Sequence, residues 1–306
     1  MDKLWDAVTS RPHILLIITM LAWAGNAVAG KLAVGYVSPM VLTCGRWLIA
    51  VVFVWVISWR EVKNDWPKIR ANLPYILMMG MSGYTLFNVL FYSAAAHTSG
   101  INISIEQAAI PLFIFIGNLL VFRIKATARQ IVGFAISIIG VVLTVTGGNV
   151  FHILNAGLNF GDFLMLIAIV IYAGYSIGLK SKPAMHWKSF FTVMVTAAFA
   201  TSIPFVIWEI SQGNAIYPLS TRGFLLVLYA AILPSIVSQI FFLLAVEKLG
   251  ANLSGLYINL VPIFGTFMAI AILGEPLRWH HAVALVLVVG GIIYAQTETR
   301  MDKFQK

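Results

Sequence analysis

Polar and aromatic side chains that could bind a small molecule recur inside apolar stretches of this 306-residue chain. Tyr84, Asn88 and Tyr92 are spaced i, i+4, i+8, which places them on one face of a helix. Amides of this kind hydrogen-bond a polar ligand head, while aromatic rings pack against an apolar body. Ordinary hydrogen bonds between helices, worth about 0.6 kcal/mol each, are the alternative role. The predicted substrate-binding residues are Trp23, Asn26, Tyr84, Asn88, Tyr92, Tyr172, Tyr175 and Gln239.

Two charged side chains, Arg46 and Glu106, lie well inside apolar stretches, at similar distances from the stretch ends. If these stretches cross a bilayer, a charge at the bilayer centre costs about 2.5–3.5 kcal/mol on insertion scales. Mutual pairing lowers that cost, so the sequence predicts a buried ion pair between Arg46 and Glu106. Two alternatives stay open: Arg46 extends to the interface, or Lys31 pairs with Glu106 instead.

Residue patterns that would indicate an enzyme are sparse. Cys44 is the single cysteine, His97 stands alone, and the pair His280-His281 lies at the end of an apolar stretch. These residues form no zinc or haem spacing, and no phosphate-binding Gly-x-x-x-x-Gly-Lys-Ser/Thr run occurs. We therefore expect no catalytic activity, no metal and no cofactor. An intramembrane enzyme that acts on lipids, or a channel, remains the alternative from a different class.

The composition indicates an integral membrane protein. Hydrophobic residues make up 60% of the chain, charged residues 10%, and the mean hydropathy is +0.91. Soluble domains average about 45–50% apolar and about 25% charged residues, so this chain could not cover a soluble surface. The long apolar runs favour helices over barrel strands. The net charge of +9 arises from residues at the ends of apolar runs, which argues against nucleic acid as a partner.

Ten apolar stretches are long enough to cross a bilayer, since a span needs about 20 residues. Ser-Pro, Gly-Gly and clusters of charged residues separate most of them. Pro111 and Pro262 fall in the middle of their spans, where proline kinks a helix and could provide a flexing point. The predicted spans are 13–33, 38–59, 72–95, 99–122, 129–148, 160–180, 189–211, 222–245, 252–273 and 279–297.

Basic residues sort strongly between the two sides of this predicted topology. Ten spans place both termini on one side, and 16 of the 20 Lys and Arg residues fall there. The positive-inside rule makes that side cytoplasmic. The segment 27–29 resembles a signal-peptide cleavage site, but the first span recurs later in the chain, which argues that it belongs to the mature fold. The four exceptions are Lys31, Arg46, Arg222 and Arg278.

The two halves of the chain are similar in sequence. Residues 23–31 and 172–180 share an aromatic residue, Ala-Gly, small residues and a closing Lys, at an offset of 149. Five spans per half turn the second repeat upside down relative to the first, an architecture found in many secondary transporters. We predict two inverted repeats, 1–152 and 153–306. Further along, the offset becomes 151, as in Asn88 and Gln239, Pro111 and Pro262, and Gly140 and Gly291.

Motifs in both halves resemble EamA-type halves of the drug/metabolite transporter superfamily. The first half carries Leu-Ala-Trp-Ala-Gly-Asn at 21–26 and Arg-Trp-Leu-Ile-Ala at 46–50, and the second carries Leu-Gly-Glu-Pro-Leu at 273–277. The resemblance implies a ten-helix carrier of the bacterial inner membrane, most often an exporter. A weaker similarity points to YddG-type amino-acid exporters. One departure is the segment 123–125, Arg-Ile-Lys, where the second half has Gly-Glu-Pro at 274–276.

These features together predict a secondary transporter that exports small metabolites by alternating access, with amino acids, including aromatic and hydrophobic ones, as the leading substrates. Other small metabolites or drugs are the alternative substrates. Its expected partners are the small-molecule substrate and the lipid bilayer. The sequence sets no oligomeric state, and a monomer is compatible with it.

Overall fold

A computed structural model describes residues 11–123, 127–149, 159–249, 254 and 257–296. Within these residues the chain is helical and contains no strand, so the all-α prediction is confirmed. Eight helices are long and apolar enough to cross a membrane, and two further apolar helices are shorter. In chain order the ten are α1 (Pro12–Ala33), α2 (Pro39–Asn64), α3 (Leu73–Ala95), α4 (Gly100–Val121), α5 (Ala128–Val145), α6 (Phe160–Ser181), α7 (Trp187–Ser211), α8 (Thr221–Val246), α9 (Leu260–Leu273) and α10 (Trp279–Gln296).

The helix bounds agree with the predicted spans within a few residues, apart from three differences. Helix α2 continues five residues beyond its predicted end at residue 59 and is followed by the short helix Trp66–Ala71. The predicted fifth span ends three residues beyond α5. The predicted ninth span begins at residue 252, which lies outside the described residues, and its described helix starts at Leu260.

Large apolar side chains cover the outside of the helix bundle. Val56 is 74% exposed, and Leu120 and Val286 are each 72% exposed. A soluble monomer rarely exposes apolar surface on this scale, whereas lipid tails solvate it without cost. The protein is therefore a multi-pass membrane protein.

Small residues bring α5 and α10 into close contact. A Cβ atom at Gly291 would touch the carbonyl oxygen of Gly133 and lie 2.5 Å from Ser137 Oγ. Ser137 Oγ in turn donates to the carbonyl of Val288 at 3.2 Å. Small residues at a membrane helix interface let the backbones approach, which replaces the hydrophobic driving force that lipid removes.

Antiparallel helices α2 and α7 cap each other's N-termini with carboxylates. Asp65, just after α2, accepts from the backbone N–H of His186 at 2.8 Å, immediately before α7. Glu209, near the end of α7, accepts from Ser38 Oγ at 2.6 Å and from the N–H of Val41 at 3.1 Å. Negative charge at a helix N-terminus satisfies free N–H groups and complements the helix dipole.

Asp65 lies outside the spans, and its environment favours the charged form. Burial tends to raise the pKa of this carboxyl, but the hydrogen bonds from the His186 N–H and the Lys68 ammonium outweigh it, so the pKa lies below its ordinary value. A lowered pKa means that the cap stabilises the fold above the pKa of the unfolded chain. That stabilisation is lost as the pH falls through the lower, folded-state pKa.

Contacts between loops define the two ends of the bundle. The basic end carries residues 60–72 and 180–188, where Lys188 Nζ lies 2.9 Å from Glu61 Oε1. The cavity end carries residues 34–38, 96–99, 146–149, 212–220 and 274–278. Its loops are joined by Lys31 Nζ donating to Thr98 O at 2.7 Å and by Ser38 N donating to Ile216 O at 3.0 Å.

Three spans are irregular at positions that matter for the site. Helix α3 contains a π-helical segment at Met81–Leu86, and α8 contains one at Ala231–Val237. Helix α4 is broken at Ala108 and Ala109, and Pro111 occupies the first turn of its second part. Pro262 likewise lies in the first turn of α9. Both prolines therefore begin helical segments, where the missing N–H costs little, and neither kinks a continuous helix.

Adjacent glycines in α10 allow a matched test of the α5–α10 contact. We expect Gly291→Ala to destabilise the protein by about 1–3 kcal/mol, because its methyl group would overlap the Gly133 carbonyl and Ser137. Gly290→Ala is the control, since nothing lies within 4 Å of its added methyl group, and alanine favours a helix by up to about 1 kcal/mol. Thermal unfolding in detergent measures both, and equal effects would show that the contact is loose.

Candidate functional site

The guanidinium of Arg46 lies at the centre of a polar network inside the helix bundle. Arg46 is 3% exposed, and its α2 helix packs against α3 and α8. Its Nη1 donates to Asn88 Oδ1 at 2.7 Å and to the Tyr92 hydroxyl. Its Nε and Nη2 donate to Ser235 Oγ at 2.9 and 2.6 Å. Neutral oxygens from two other helices thus hold the charge.

Further hydrogen bonds fix these acceptors in place. The Tyr92 hydroxyl donates to Asn26 Oδ1 at 2.7 Å, which adds α1 to the network. Asn88 Nδ2 donates to the carbonyl of Tyr84 at 2.5 Å, and Ser235 Oγ donates to the carbonyl of Ala230 at 2.8 Å. We call Arg46, Asn88, Tyr92, Asn26 and Ser235 the arginine network.

The predicted ion pair between Arg46 and Glu106 is wrong. Among the described residues, Arg46 makes no salt bridge, and neither carboxyl oxygen of Glu106 has a hydrogen-bond donor. The reason is the direction in which each helix faces. Helix α2 packs on α7, α3 and α8, whereas the first part of α4 packs mainly on α9 and α6. Lys31, the rival partner, donates instead to the carbonyls of Ala95 and Thr98.

Aromatic rings extend from the arginine network in a continuous row. The Arg46 guanidinium lies 5.0 Å from the ring centre of Trp47, which stacks on Tyr84 at 4.9 Å. Tyr84 contacts Tyr175 at 5.7 Å, and Tyr175 contacts Tyr172 at 5.4 Å. We call these four residues the aromatic row. It places a cation next to a flat apolar surface, as recognition of an aromatic or apolar anion requires.

The structure brings together six of the eight predicted binding residues and leaves two outside. Asn26, Asn88 and Tyr92 belong to the arginine network, and Tyr84, Tyr172 and Tyr175 to the aromatic row. Trp23 packs on Phe242 at 5.3 Å in a separate apolar cluster, and Gln239 is half-buried and takes no part in the network.

Sequence reasoning missed Trp47, Ser235 and Tyr229. The hydroxyl of Tyr229 lies close enough to Arg46 and Tyr92 to interact electrostatically with both. The repeat offset of 151 pairs Ser235 with Tyr84, so that mapping could have found it. Trp47 directly follows Arg46 in the chain, whereas no pattern singles out Tyr229.

A cavity of about 680 Å³ opens at the cavity end, and we call it the loop cavity. Its walls come from α1, the start of α4, the end of α5, the start of α6 and the α9–α10 loop. Glu275 in that loop accepts from the N–H groups of Gly100 and Ile101 at 2.8 and 2.9 Å. The acidic residue of the Gly-Glu-Pro motif therefore caps the N-terminus of α4.

Two carboxyl groups meet beside this cavity. Asp162 lines the cavity and accepts from Thr98 Oγ1 and, at 3.4 Å, from Asn102 Nδ2. Glu106 is 0% exposed and lies close enough to Asp162 for the two carboxyl groups to interact electrostatically. Sequence reasoning missed Asp162 because it lies only two residues inside its helix, where a hydrated carboxylate would be unremarkable. The described residues contain no group of three or more His, Cys, Asp or Glu that could hold a metal ion.

Asn88 and Gln239 are repeat mates, and their different surroundings allow a test of the network. We expect Asn88→Leu to lower stability by about 1–3 kcal/mol, because it removes a hydrogen-bond acceptor from a buried guanidinium. Gln239→Leu is the control, since that side chain contributes nothing to the network. Unfolding temperatures in detergent report both effects, and an equal loss from Gln239→Leu would contradict the assignment.

Comparisons with known proteins match these features. A family model described as the EamA-like transporter family matches residues 10–146 and 159–296. An uncharacterized transporter of Archaeoglobus fulgidus is 26% identical over 291 residues, covering 93% of this chain and 97% of that protein. The uncharacterized transporter YyaM of Bacillus subtilis is 24% identical over 280 residues, covering 90% of both chains.

The fold also resembles a solved structure. A crystal structure matches 95% of this chain and 98% of its own, with a TM-score of 0.64 and 18% sequence identity. Identity at this level supports the fold alone. The family model, by contrast, matches both halves of the sequence in order. The chain therefore belongs to the EamA-like transporter family.

Proposed function

We propose that this protein is a secondary transporter that exports small carboxylate-bearing metabolites, with amino acids, including aromatic and hydrophobic ones, as the leading substrates. The observation that carries the proposal is the buried guanidinium of Arg46, which has no acidic partner among the described residues. A buried, unpaired charge is strongly destabilising, so such a site favours an anionic ligand that completes the pair.

The donor arrangement suits a carboxylate. A guanidinium has five N–H donors, and the bonds to Asn88, Tyr92 and Ser235 use four of them. One Nη2 hydrogen thus remains for a ligand. Arginine binds carboxylates with charge-assisted hydrogen bonds roughly twice as strong as neutral ones. Such a carboxylate would lie beside Trp47 at the start of the aromatic row, which would pack against an apolar or aromatic side chain.

Alternating access between two inverted five-helix repeats is the mechanism we propose, with all ten helices crossing the membrane. Several paired features support it. The π-helical segments of α3 and α8 lie at positions related by the offset of 150 to 151, and both flank the arginine network. Helices α2 and α7, at matching places in the two halves, cap each other reciprocally. Rocking of one repeat against the other would open the network to each side in turn.

Two functions from other classes have less support. An intramembrane enzyme needs a nucleophile and a base in contact, and no such pair occurs in the arginine network. A channel needs a continuous pore, whereas the arginine network is closed by its own hydrogen bonds. Counterflow separates carrier from channel, because only a carrier accelerates uptake when substrate is present on the other side.

Transport measurements on purified protein in liposomes test the proposal. We expect labelled phenylalanine to enter faster when unlabelled amino acid is inside. Arg46→Lys should reduce this counterflow about 10- to 100-fold, because an ammonium cannot replace the forked donors. Arg222→Lys is the matched control, since Arg222 is exposed and contacts only the Tyr36 ring and hydroxyl. Equal counterflow in the two variants would show that Arg46 is not part of the substrate site.

Orientation in the bacterial inner membrane is a separate part of the proposal, with both termini cytoplasmic. Of the described residues, the basic end carries Arg60, Lys63, Lys68 and Arg70, which favours a cytoplasmic location. Cys44 is the single cysteine, so Cys44→Ser gives a chain without cysteine. One introduced cysteine can then be labelled selectively. We expect Asn214→Cys to react with an impermeant maleimide in intact cells and Lys182→Cys to react only after lysis. The reverse pattern would invert the topology.

A further inference from the structure

Glu106 is a buried acid to which no donor among the described residues hydrogen-bonds. It lies on the face of α4 that also presents Asn102, four residues earlier, and Thr98 lies a further four residues earlier, just before the helix. Thr98 and Asn102 both donate to Asp162 on α6. Glu106, one turn deeper, lies within electrostatic range of the same carboxyl group, and both of its oxygens lack a hydrogen-bond partner among the described residues. We call Glu106 and Asp162 the acid pair.

A carboxyl pair in this position requires a proton. Two ionised carboxylates repel each other, and burial of an isolated ionised carboxylate costs far more than its neutralisation. Two carboxyl groups can attract each other only when one of them is protonated and donates its O–H to the other. A single proton shared with Asp162 would give one of the unpartnered Glu106 oxygens a hydrogen bond.

Among the described residues, no other charged group near the acid pair neutralises its charge in place of the proton. Lys31 on α1 is held by the carbonyls of Ala95 and Thr98, and Glu275 by two N–H groups of α4. The helices α3, α5 and α9, which also pack on this part of α4, supply no charged side chain to the cavity wall. The remaining titratable groups of the wall are His97, which packs on Phe160 at the start of α6, and Arg278, His280 and His281.

Asp162 connects this proton to water. It is part of the loop cavity wall, whereas Glu106 is fully buried behind it. A proton from water in the cavity can bind to the Asp162 carboxylate and be shared with Glu106, and it returns by the same path. The step adds one proton and one positive charge and requires no other reactant.

We propose that the acid pair is a proton-binding site, reached through the loop cavity, that couples substrate transport to proton movement. This inference rests on the proposed transport function. Helix α1 provides the physical connection, because Asn26 binds Tyr92 of the arginine network and Lys31 binds Thr98 beside Asp162. A change of charge at the acid pair alters the hydrogen bond between Asp162 and Thr98. Because Lys31 of α1 also binds Thr98, the change reaches the helix that contacts the substrate-binding arginine network.

Infrared spectroscopy of the purified protein tests the proton site without any substrate. We expect the C=O stretch of a protonated carboxylic acid at neutral pH in the wild type, and its loss in Glu106→Gln and Asp162→Asn. Glu275→Gln should keep the band, because Glu275 lies outside the acid pair and accepts from two N–H groups of α4. A wild type without the band, or a band unaffected by both acid-pair variants, would overturn the proposal. So would a band that sodium removes at constant pH, which would indicate a sodium site.

Transport driven by a pH gradient tests the coupling. For one proton per substrate, a gradient of about one pH unit supports about a tenfold substrate gradient. We expect Glu106→Gln to retain counterflow and to lose this accumulation, with Glu275→Gln as the folded control. Wild-type counterflow that ignores the pH gradient would refute the coupling while leaving the proposed function intact. Absence of counterflow together with an infrared band that meets the criteria above would instead refute the function and support the proton site.

Discussion

Burial of the Arg46 guanidinium inside a membrane protein is the constraint on which the centre of this structure depends. Its charge needs several acceptors, and those come from α3 and α8, which must therefore lie on either side of α2. Both helices are π-helical next to the guanidinium. A π-helical turn shifts the faces of a helix, and such turns occur often at functional sites. Neutral oxygens position the charge but do not cancel it, which leaves the site suited to an anion.

The other buried or paired acidic residues differ from the acid pair in the partners that they have. Asp65, Glu209 and Glu275 each accept backbone N–H groups at or just before the start of a helix, so each has a structural role as a helix cap. Glu61 pairs with Lys188 at the basic end. Within the part of the chain that the structure describes, Glu106 has neither an N–H donor nor a cation as partner. Its environment is therefore consistent with a group that gains and loses a proton and not with one that anchors the fold.

Hydropathy and charge in the sequence were enough to predict the helical membrane class and most of the span positions, and six of the eight residues selected as candidate ligand contacts lie together in the structure. They give the depth of a residue in the membrane but not the direction in which its helix faces, which is why Arg46 and Glu106 were paired at equal depth. The π-helical segments further change the direction in which the helix faces, and no residue pattern in the sequence predicted these segments. Trp23 and Gln239 failed to join the site for the same reason, although their chemistry and depth matched those of Asn26 and Asn88.

The acid pair lies between α4 and α6, so its protonation state can control the opening of the cavity end. Glu275 fastens the start of α4 to the α9–α10 loop, so these segments should move together. Helix α6 is held to the start of α4 by the hydrogen bonds that Thr98 and Asn102 donate to Asp162 and, in the proposed scheme, by the shared proton. Loss of that proton would leave two facing carboxylates and replace an attraction by a repulsion, which favours separation of α6 from α4. In the proposed scheme, the presence of the proton thus determines whether α6 stays packed against α4 and the cavity end stays closed.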